Sequence, residues 1–463
     1  MPPVKIAVLW AGALATAACS TAPTYTRPEV PTPASYKEAE GWQPAGLNVP
    51  PAGKWWELLG DATLSRLEER IEAGNPSLAA AAARYEQAQG LVRQARADRF
   101  PQIDASAGIV RNRLETGGPA FNQLTVGPSL SYELDLFGRV RNSVAAARAE
   151  AQASASDVAA IRLGLQAQLA TTYFEMRGLD ARIELLNATV EAYQRAYDLT
   201  ATRHEGGIAS GVDVTRAQSQ LSSARAELSA TAIDRARDEH AIAILVGDAP
   251  ADFSLAVDSR TIASPSIPAG VPSTLLERRP DIAAAERRVA EANSRIGVAR
   301  AALFPSLTLG AAGGLAATGS SLLSATTPFW ALGPLTAALS IFDGGRRRAG
   351  VRIAQAQYNE IAADYRQTVL TAFREVEDDL SSQRLLAAQE HDQAEAAAAA
   401  DHTRDLALIR YRDGAADYLE VATAQTAALD AERALLEVRT QQLTTAVDAI
   451  RAIGGSVGHV TRG

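Results

Sequence analysis

Two short segments of the chain alternate apolar and polar residues with the period of a β-strand. The first, "SLSYELDLFGRVR", covers Ser129 to Arg141, and the second, "PLTAALSIFDGGRRR", covers Pro334 to Arg348. Each segment runs to a phenylalanine, breaks at glycine and continues with arginines. The pattern predicts an amphipathic strand that ends abruptly. In the first segment one face is apolar and the other polar, formed respectively by Leu130, Tyr132, Leu134 and Leu136, and by Ser129, Ser131, Glu133 and Asp135.

The recurrence of this pattern belongs to a duplication of the whole chain. The stretch "NPSLAAAAARYEQAQGLVRQARADRFP" aligns without a gap on "RPDIAAAERRVAEANSRIGVARAALFP", so that Phe100-Pro101 matches Phe304-Pro305. Further on, "RHEGGIASGVDVTRAQSQL" matches "RYRDGAADYLEVATAQTAA". The chain is therefore interpreted as two tandem copies of one unit.

Each copy is predicted to contain a helix, two strands, a very long helix and a final helix. Helices begin at proline in the first position and stop before the next proline. No proline occurs between residues 138 and 203, a length that corresponds to about 100 Å of helix. The expected organisation is a signal peptide (1–18), an N-terminal tether and equatorial segment (19–74), repeat 1 (75–260), a linker (261–278), repeat 2 (279–454) and a C-terminal tail (455–463). Within repeat 1 the strands are expected at about 102–112 and 126–137, and the long helices at 138–203 and 212–247. Within repeat 2 the strands are expected at about 306–314 and 330–342, and the long helices at 346–412 and 416–453.

The N-terminus has the pattern of an export signal. Lys5 precedes an apolar run that is too short for a membrane-spanning helix, and small residues lead to Cys19, the only cysteine of the chain. This position predicts a bacterial lipobox with a covalent lipid on Cys19, and Ser20 after the cysteine fits sorting to the outer membrane. Thr16 departs from the leucine usual in that motif. The alternative is a soluble-export signal with an incidental cysteine.

Composition and motifs argue against several classes of protein. Alanine dominates the 47% hydrophobic content, which favours long, closely packed helices. A net charge of -8 and the lack of a basic stripe argue against a nucleic-acid binder. No phosphate-binding or nucleophile motif is found, and we expect neither an enzyme nor a metal site. No ligand spacing relates the five histidines, His204, His240, His391, His402 and His459.

The predicted strands have the length that crosses a bilayer when tilted. A sheet in lipid must close on itself, and about eight strands make the smallest barrel. Four strands per chain are too few, so closure requires several copies, and a homotrimer would give twelve strands. The alternative is a small soluble sheet packed on helices.

The chain resembles the TolC-like outer-membrane efflux protein family, in its RND-type efflux lipoprotein branch. The resemblance rests on Cys19, the paired "NPSL" and "RPDI" helix starts, the two FP turns, "LDLFGR" with "IFDGGRR", and "RYRDGAADYLEVATAQ". It implies a mostly α fold with a four-stranded β contribution. It further implies a trimer with a twelve-stranded outer-membrane β-barrel continued by a twelve-helix periplasmic α-barrel, served by a periplasmic adaptor protein and an inner-membrane RND pump.

The resemblance also implies a gate at the periplasmic tip. Tyr411 matches the family's tyrosine and Glu420 an acidic position, whereas Asp417 lies one residue after a polar gate position that is Ala416 here. Thr423 replaces a carboxylate found in some relatives. The alternative is that these residues merely cap and solvate a helical hairpin. The adaptor is expected to dock at the same tips, on Gly206, Gly207, Ser210, Asp213, Asp413 and Gly414.

The ends of the amphipathic strands are expected at the periplasmic face of the membrane. Glycine permits a sharp bend, and an aromatic residue followed by arginines suits the level of the lipid headgroups. The predicted elbows between strand and helix comprise Phe137, Gly138 and Arg139 in repeat 1 and Phe342, Gly344, Gly345 and Arg346 in repeat 2.

The expected function is the exit duct of a tripartite pump that exports small molecules. Two alternatives remain open: the outer-membrane channel of a type I protein secretion system, and a structural envelope lipoprotein that does not conduct. The acylated N-terminus favours the pump over protein secretion.

Overall fold

A computed structural model describes residues 21–38, 54–113, 120–260, 262, 278–318 and 326–455. Cys19, the signal peptide, most of the linker and nearly all of the C-terminal tail lie outside the described residues. The chain is mostly helical with one sheet. Its elements are α1 (Ala62–Gly74), α2 (Pro76–Ala97), β1 (Gln102–Asn112), β2 (Phe121–Leu134), α3 (Arg139–Glu205), α4 (Gly211–Val246), α5 (Pro280–Ala301), β3 (Ser306–Thr318), β4 (Thr327–Ala338), α6 (Arg346–Arg412) and α7 (Tyr418–Ala452).

Both copies of the duplicated unit contain the same order of elements. Each has a helix of 22 residues, a hairpin, a helix of 67 residues and a further long helix. Pro76 opens α2, and the side chain of Asn75 accepts from the backbone N–H groups of Ser77 and Leu78, at 2.9 and 3.1 Å. Local capping therefore fixes where this helix begins.

The second strand of each hairpin starts and ends earlier than the alternation predicts. β2 covers 121–134 instead of 126–137, and β4 covers 327–338 instead of 330–342. The cause at the end of β2 is Asp135, whose carboxylate accepts from the N–H groups of Val140 and Arg141 at 3.0 and 2.8 Å. Asp135 fits the alternation of the strand, but it caps α3 and lies outside β2.

The four strands form one antiparallel sheet in the order β1-β2-β3-β4. The central pair, β2 and β3, joins the two repeats. Opposed residues share a face, so Ile103, Leu130, Ala311 and Leu332 form an apolar line across the sheet. The parallel line on the other face is Asp104, Ser129, Ala312 and Ala331.

One face of the sheet is exposed and apolar. Seven of its large side chains are more than 40% exposed, namely Ile103, Ile109, Val126, Leu315, Trp330, Leu332 and Leu335. A contiguous surface of this kind is rarely left in water and marks an interaction with lipid or protein. Among the described helices, none is both long and apolar enough to cross a membrane.

The chain separates into two compact units. The described residues of the first unit form the sheet with the adjoining helical segments, and come from 21–30, 82–113, 120–157, 281–318 and 326–368. Within it, the N-terminal tether is docked: the Thr21 hydroxyl lies 3.0 Å from the carbonyl oxygen of Phe137 and 2.8 Å from that of Gly297, and Asn293 donates to the carbonyl oxygen of Pro23.

The second unit contains α1, α4, α7 and the remaining parts of the long helices. Its interior holds a buried ion-pair cluster centred on Asp180, which is fully buried. Arg177 and Arg235 donate to its two carboxylate oxygens at 2.9 and 2.7 Å, and the N–H of Asp258 donates at 3.0 Å. Both carboxylate oxygens of this buried group thus have donors, which offsets the cost of removing the carboxylate from water.

Candidate functional site

Two helix-to-helix turns lie at corresponding places in the repeats. Gly207 lies two residues after the end of α3 and Gly414 two residues after the end of α6, and they have φ values of 73° and 80°. In both turns, the N–H three residues past the helix donates to a carbonyl oxygen five residues earlier, from Ile208 to Arg203 and from Ala415 to Arg410, each at 2.8 Å. Both turns are Schellman motifs, in which the left-handed position favours glycine.

The helices that leave these turns are capped by side chains predicted to have other roles. Ser210 and Asp213 form a reciprocal capping box at the start of α4. Asp417 caps α7 by accepting from the N–H of Glu420 at 3.0 Å. The structure therefore gives the predicted docking residues Ser210 and Asp213, and the predicted gate residue Asp417, a local role in ending the turn.

A small apolar core lies beneath the two turns and draws on all four long helices. Tyr411 and Tyr418 meet edge to face, with ring centroids 5.7 Å apart. The Tyr418 hydroxyl lies 2.9 Å from the amide oxygen of Gln220, and burial raises the pKa of Tyr418 to about 12. Ala196, Ala217, Val421 and Ala422 complete the buried cluster.

Arg203 of repeat 1 holds the end of α6 in repeat 2. Its guanidinium donates to the carbonyl oxygens of Tyr411 and Arg412 at 2.7 and 2.8 Å, and it lies 4.5 Å from the centroid of the Tyr411 ring. These carbonyls belong to the last turn of a helix, where no intrahelical donor is available. A cation at a helix C-terminus is also electrostatically favourable.

A buried hydroxyl pair supports this contact. Tyr411 is only 5% exposed, and its hydroxyl lies 3.1 Å from that of Thr200. Thr200 donates to the carbonyl oxygen of Ala196 at 2.8 Å, so its oxygen is left to accept from the tyrosine. We call Arg203, Thr200 and Tyr411 the inter-repeat latch.

Glu420, the other predicted gate residue, contacts its own hairpin. Its carboxylate pairs with Arg410 at 2.8 Å, and Arg410 also donates to the carbonyl oxygen of Ala415. The Arg410 side chain is 57% exposed and the Glu420 side chain 40% exposed. Pairs of this kind contribute little to stability. Of the three predicted gate residues, only Tyr411 joins the two repeats.

Arg203 and Thr200 were not among the predicted site residues. The repeat alignment contained a signal, because Arg203 occupies the position of Arg410. The two arginines nevertheless act differently: Arg410 stays within its own turn, whereas Arg203 reaches across to the other repeat. The turns also expose apolar side chains that were not named individually as site residues, with Ile208 80%, Val212 65% and Leu419 50% exposed.

The elbow of repeat 1 is closed by ion pairs and aromatic stacking. Gly138 has a φ of 78°, and Arg139 makes a forked pair with Glu133 at 2.7 and 2.6 Å. Phe137 stacks on Phe304 of the second repeat, with centroids 4.7 Å apart and planes 11° from parallel.

The elbow of repeat 2 lacks these partners. Asp343 accepts from the N–H groups of Gly345 and Arg347, at 2.9 and 3.3 Å, at the start of α6. The Arg347 side chain binds Asp343 and the carbonyl oxygen of Ser340. Arg347, not the predicted Arg346, therefore closes this bend, while Gly344 and Gly345 both have positive φ. Phe342 is 90% exposed.

An amphipathic sheet whose strands lead through elbows into long helices is the architecture of an outer-membrane channel. The outer-membrane channel OprN superposes on the chain with a TM-score of 0.88 at 29% identity, covering 95% of this chain and 100% of OprN. The chain belongs to the outer membrane efflux protein family, which it matches over residues 67–248 and 271–455.

Relatives of known name support the same assignment. The chain is 34% identical over 457 residues to outer membrane protein OprJ of Pseudomonas aeruginosa, which covers 96% of this chain and 94% of OprJ. It is 33% identical over 451 residues to the toluene efflux pump outer membrane protein TtgC of Pseudomonas putida, covering 94% and 92%. The chain is an outer-membrane efflux protein, with the predicted mostly helical, tandem-repeat fold and its four-stranded sheet confirmed.

Proposed function

We propose that the chain is the exit duct of a tripartite pump that expels small molecules, and that it works as a homotrimer. The observation that carries this proposal is the unclosed sheet. Among the described strands, β1 and β4 have one neighbour each, so each has an edge that no other described strand pairs with. An edge with free N–H and C=O groups is not tolerated in lipid, and the apolar face calls for a lipid environment. Pairing β4 of one copy with β1 of the next closes twelve strands in a trimer.

The helical turns supply a surface for the periplasmic adaptor. Ile208, Val212 and Leu419 expose apolar side chains beside the Schellman turns at Gly207 and Gly414. Apolar side chains next to exposed polar backbone are suited to a protein contact that is made and released. The adaptor would in turn connect the duct to an inner-membrane pump of the RND type.

The inter-repeat latch is proposed to keep the tip closed at rest. Because Arg203 binds the end of α6, moving the α6–α7 hairpin outward breaks two charge-assisted hydrogen bonds and the Thr200–Tyr411 contact together. Anchoring is proposed to come from a lipid on Cys19, two residues before Thr21, whose hydroxyl contacts the elbow backbone.

Deletion of the gene tests the proposed cargo. We expect the deletion strain to accumulate toxic small molecules and to become more susceptible to them, with normal secretion of proteins, and the intact gene to restore export. Unchanged susceptibility combined with loss of a secreted protein would contradict the pump and support type I secretion.

A further inference from the structure

The seam between the two repeats offers a template for the seam between two copies of the chain. Within one chain, β2 pairs with β3, and Leu134 lies opposite Leu307. Three residues beyond Leu134 comes Phe137, and three residues before Leu307 comes Phe304. These two rings stack. The strand register and the aromatic stack therefore follow from the same antiparallel alignment of β2 with β3, continued to the elbow.

The duplication provides the same parts at the free edges of the sheet. The FP turn before β1 carries Phe100, the match of Phe304, and the elbow after β4 carries Phe342, the match of Phe137. Among the described residues neither ring has a stacked partner, and Phe342 is 90% and Phe100 69% exposed, against 45% for Phe304. Large aromatic side chains are seldom left so exposed without a partner.

We propose that Phe342 of one copy stacks on Phe100 of the next, and that this aromatic clasp sets the register between β4 and β1 across the seam. Transferring the alignment seen within the chain places Leu339 opposite Ile103 of the next copy, and Leu335 opposite Ala107. The inference rests on the proposed homotrimer and specifies how its copies meet.

The faces of the sheet agree with this register. Leu335 lies on the exposed apolar face, because it pairs with Leu309, and Ala107 lies on the same face, because it pairs with Val126. The register thus continues the apolar surface across the seam. A slip by one residue would turn the polar residues of β1 to that surface, and a slip by two would separate the phenylalanine rings.

Cysteine pairs in the full-length protein test the register directly. Leu335→Cys with Ala107→Cys, or Thr336→Cys with Ser106→Cys, should give covalent dimers and trimers on oxidation. Leu335→Cys with Ala105→Cys should not. A bond within one chain is excluded because β1 and β4 are about 14 Å apart across three strand spacings, beyond the roughly 7 Å limit between Cα atoms. Leu335→Cys alone controls for links to Cys19.

Truncation of the rings tests the clasp. Phe342→Ala and Phe100→Ala should each weaken the trimer, by about 2- to 10-fold at each seam and so about 10- to 1,000-fold in the association constant. Because each change breaks all three clasps, the double variant should be scarcely worse than either single variant. Trp330→Ala removes a ring that is 84% exposed on the apolar face and should leave the trimer unchanged.

The possible failures are distinguishable. An unmodified protein that is not a trimer in detergent overturns the proposed function itself. Three results with a stable trimer would overturn the clasp and leave the homotrimer standing. The in-register cysteines could fail to link, the Leu335 and Ala105 positions could link instead, or the effects of the two phenylalanine changes could add independently.

Discussion

The inter-repeat latch predicts a ranking of substitutions at the helical tip. Arg203 makes two charge-assisted hydrogen bonds and one ring contact to the end of α6. A hydrogen bond to a charged group contributes about 1.5–3 kcal/mol, and the outer bond is exposed and counts at the low end. Arg203→Met should therefore favour the open tip by about 2–4 kcal/mol, or about 30- to 1,000-fold in the open-to-closed ratio.

Smaller effects are expected at the other two positions. Tyr411→Phe removes one neutral buried hydrogen bond, about 0.5–1.5 kcal/mol, and should change the ratio about 2- to 10-fold. Glu420→Gln removes an exposed ion pair within one hairpin and should change it little. Arg203→Lys keeps the charge but loses the forked donor geometry, and should fall between wild type and Arg203→Met.

Single-channel recording in planar bilayers provides the assay. The open fraction should rise in the order Glu420→Gln, Tyr411→Phe, Arg203→Met, with Arg203→Lys between wild type and Arg203→Met. The trimer content of each preparation should stay that of wild type. If Glu420→Gln opens the channel as far as Arg203→Met, the inter-repeat latch is not what holds the tip.

Three further predictions concern the rest of the molecule. Asp180→Ala removes the buried carboxylate that pairs with Arg177 and Arg235, and should lower the free energy of unfolding by about 3–5 kcal/mol in denaturant titrations. Asp234→Ala, at an exposed ion pair, should cost under about 1 kcal/mol. Burial raises the pKa of Asp379 to about 7, so the stability that its protonated form contributes is present at acidic pH and is lost as the pH rises through 7. Asp379→Asn should therefore flatten the fall in melting temperature between pH 5 and 8. An unaltered fall would refute this assignment. A Cβ at position 127 would overlap the carbonyl oxygen of Gly313 on β3, so Gly127→Val should reduce the folded fraction recovered from outer membranes, and full recovery would contradict the seam geometry.

The long helices and the sheet could be predicted because local signals decide them. Proline starts, the absence of proline over 138–203 and strict alternation each act within a few residues of chain. The strand ends were misjudged because Asp135 alternates like a strand residue but caps α3. Alternation gives no information about which polar residue will cap the start of the next helix.

At the tip, the sequence did not predict which side chains join the two repeats. Arg203 and Arg410 have matching positions and similar local surroundings, yet one bridges the repeats and the other pairs with Glu420. Their difference depends on which helix lies across from each side chain, and that is decided by tertiary packing. The resemblance singled out Tyr411, which the structure places in contact with Arg203 and Thr200, and its role in the gate remains a prediction.

Conductance of the purified full-length protein in a planar lipid bilayer tests the central proposal most directly. A duct built from three copies should give discrete, ohmic current steps at a protein concentration where the trimer is intact. Folded trimer that inserts into the bilayer and passes no current, even with the latch removed by Arg203→Met, would contradict the account and identify the chain as a structural envelope protein.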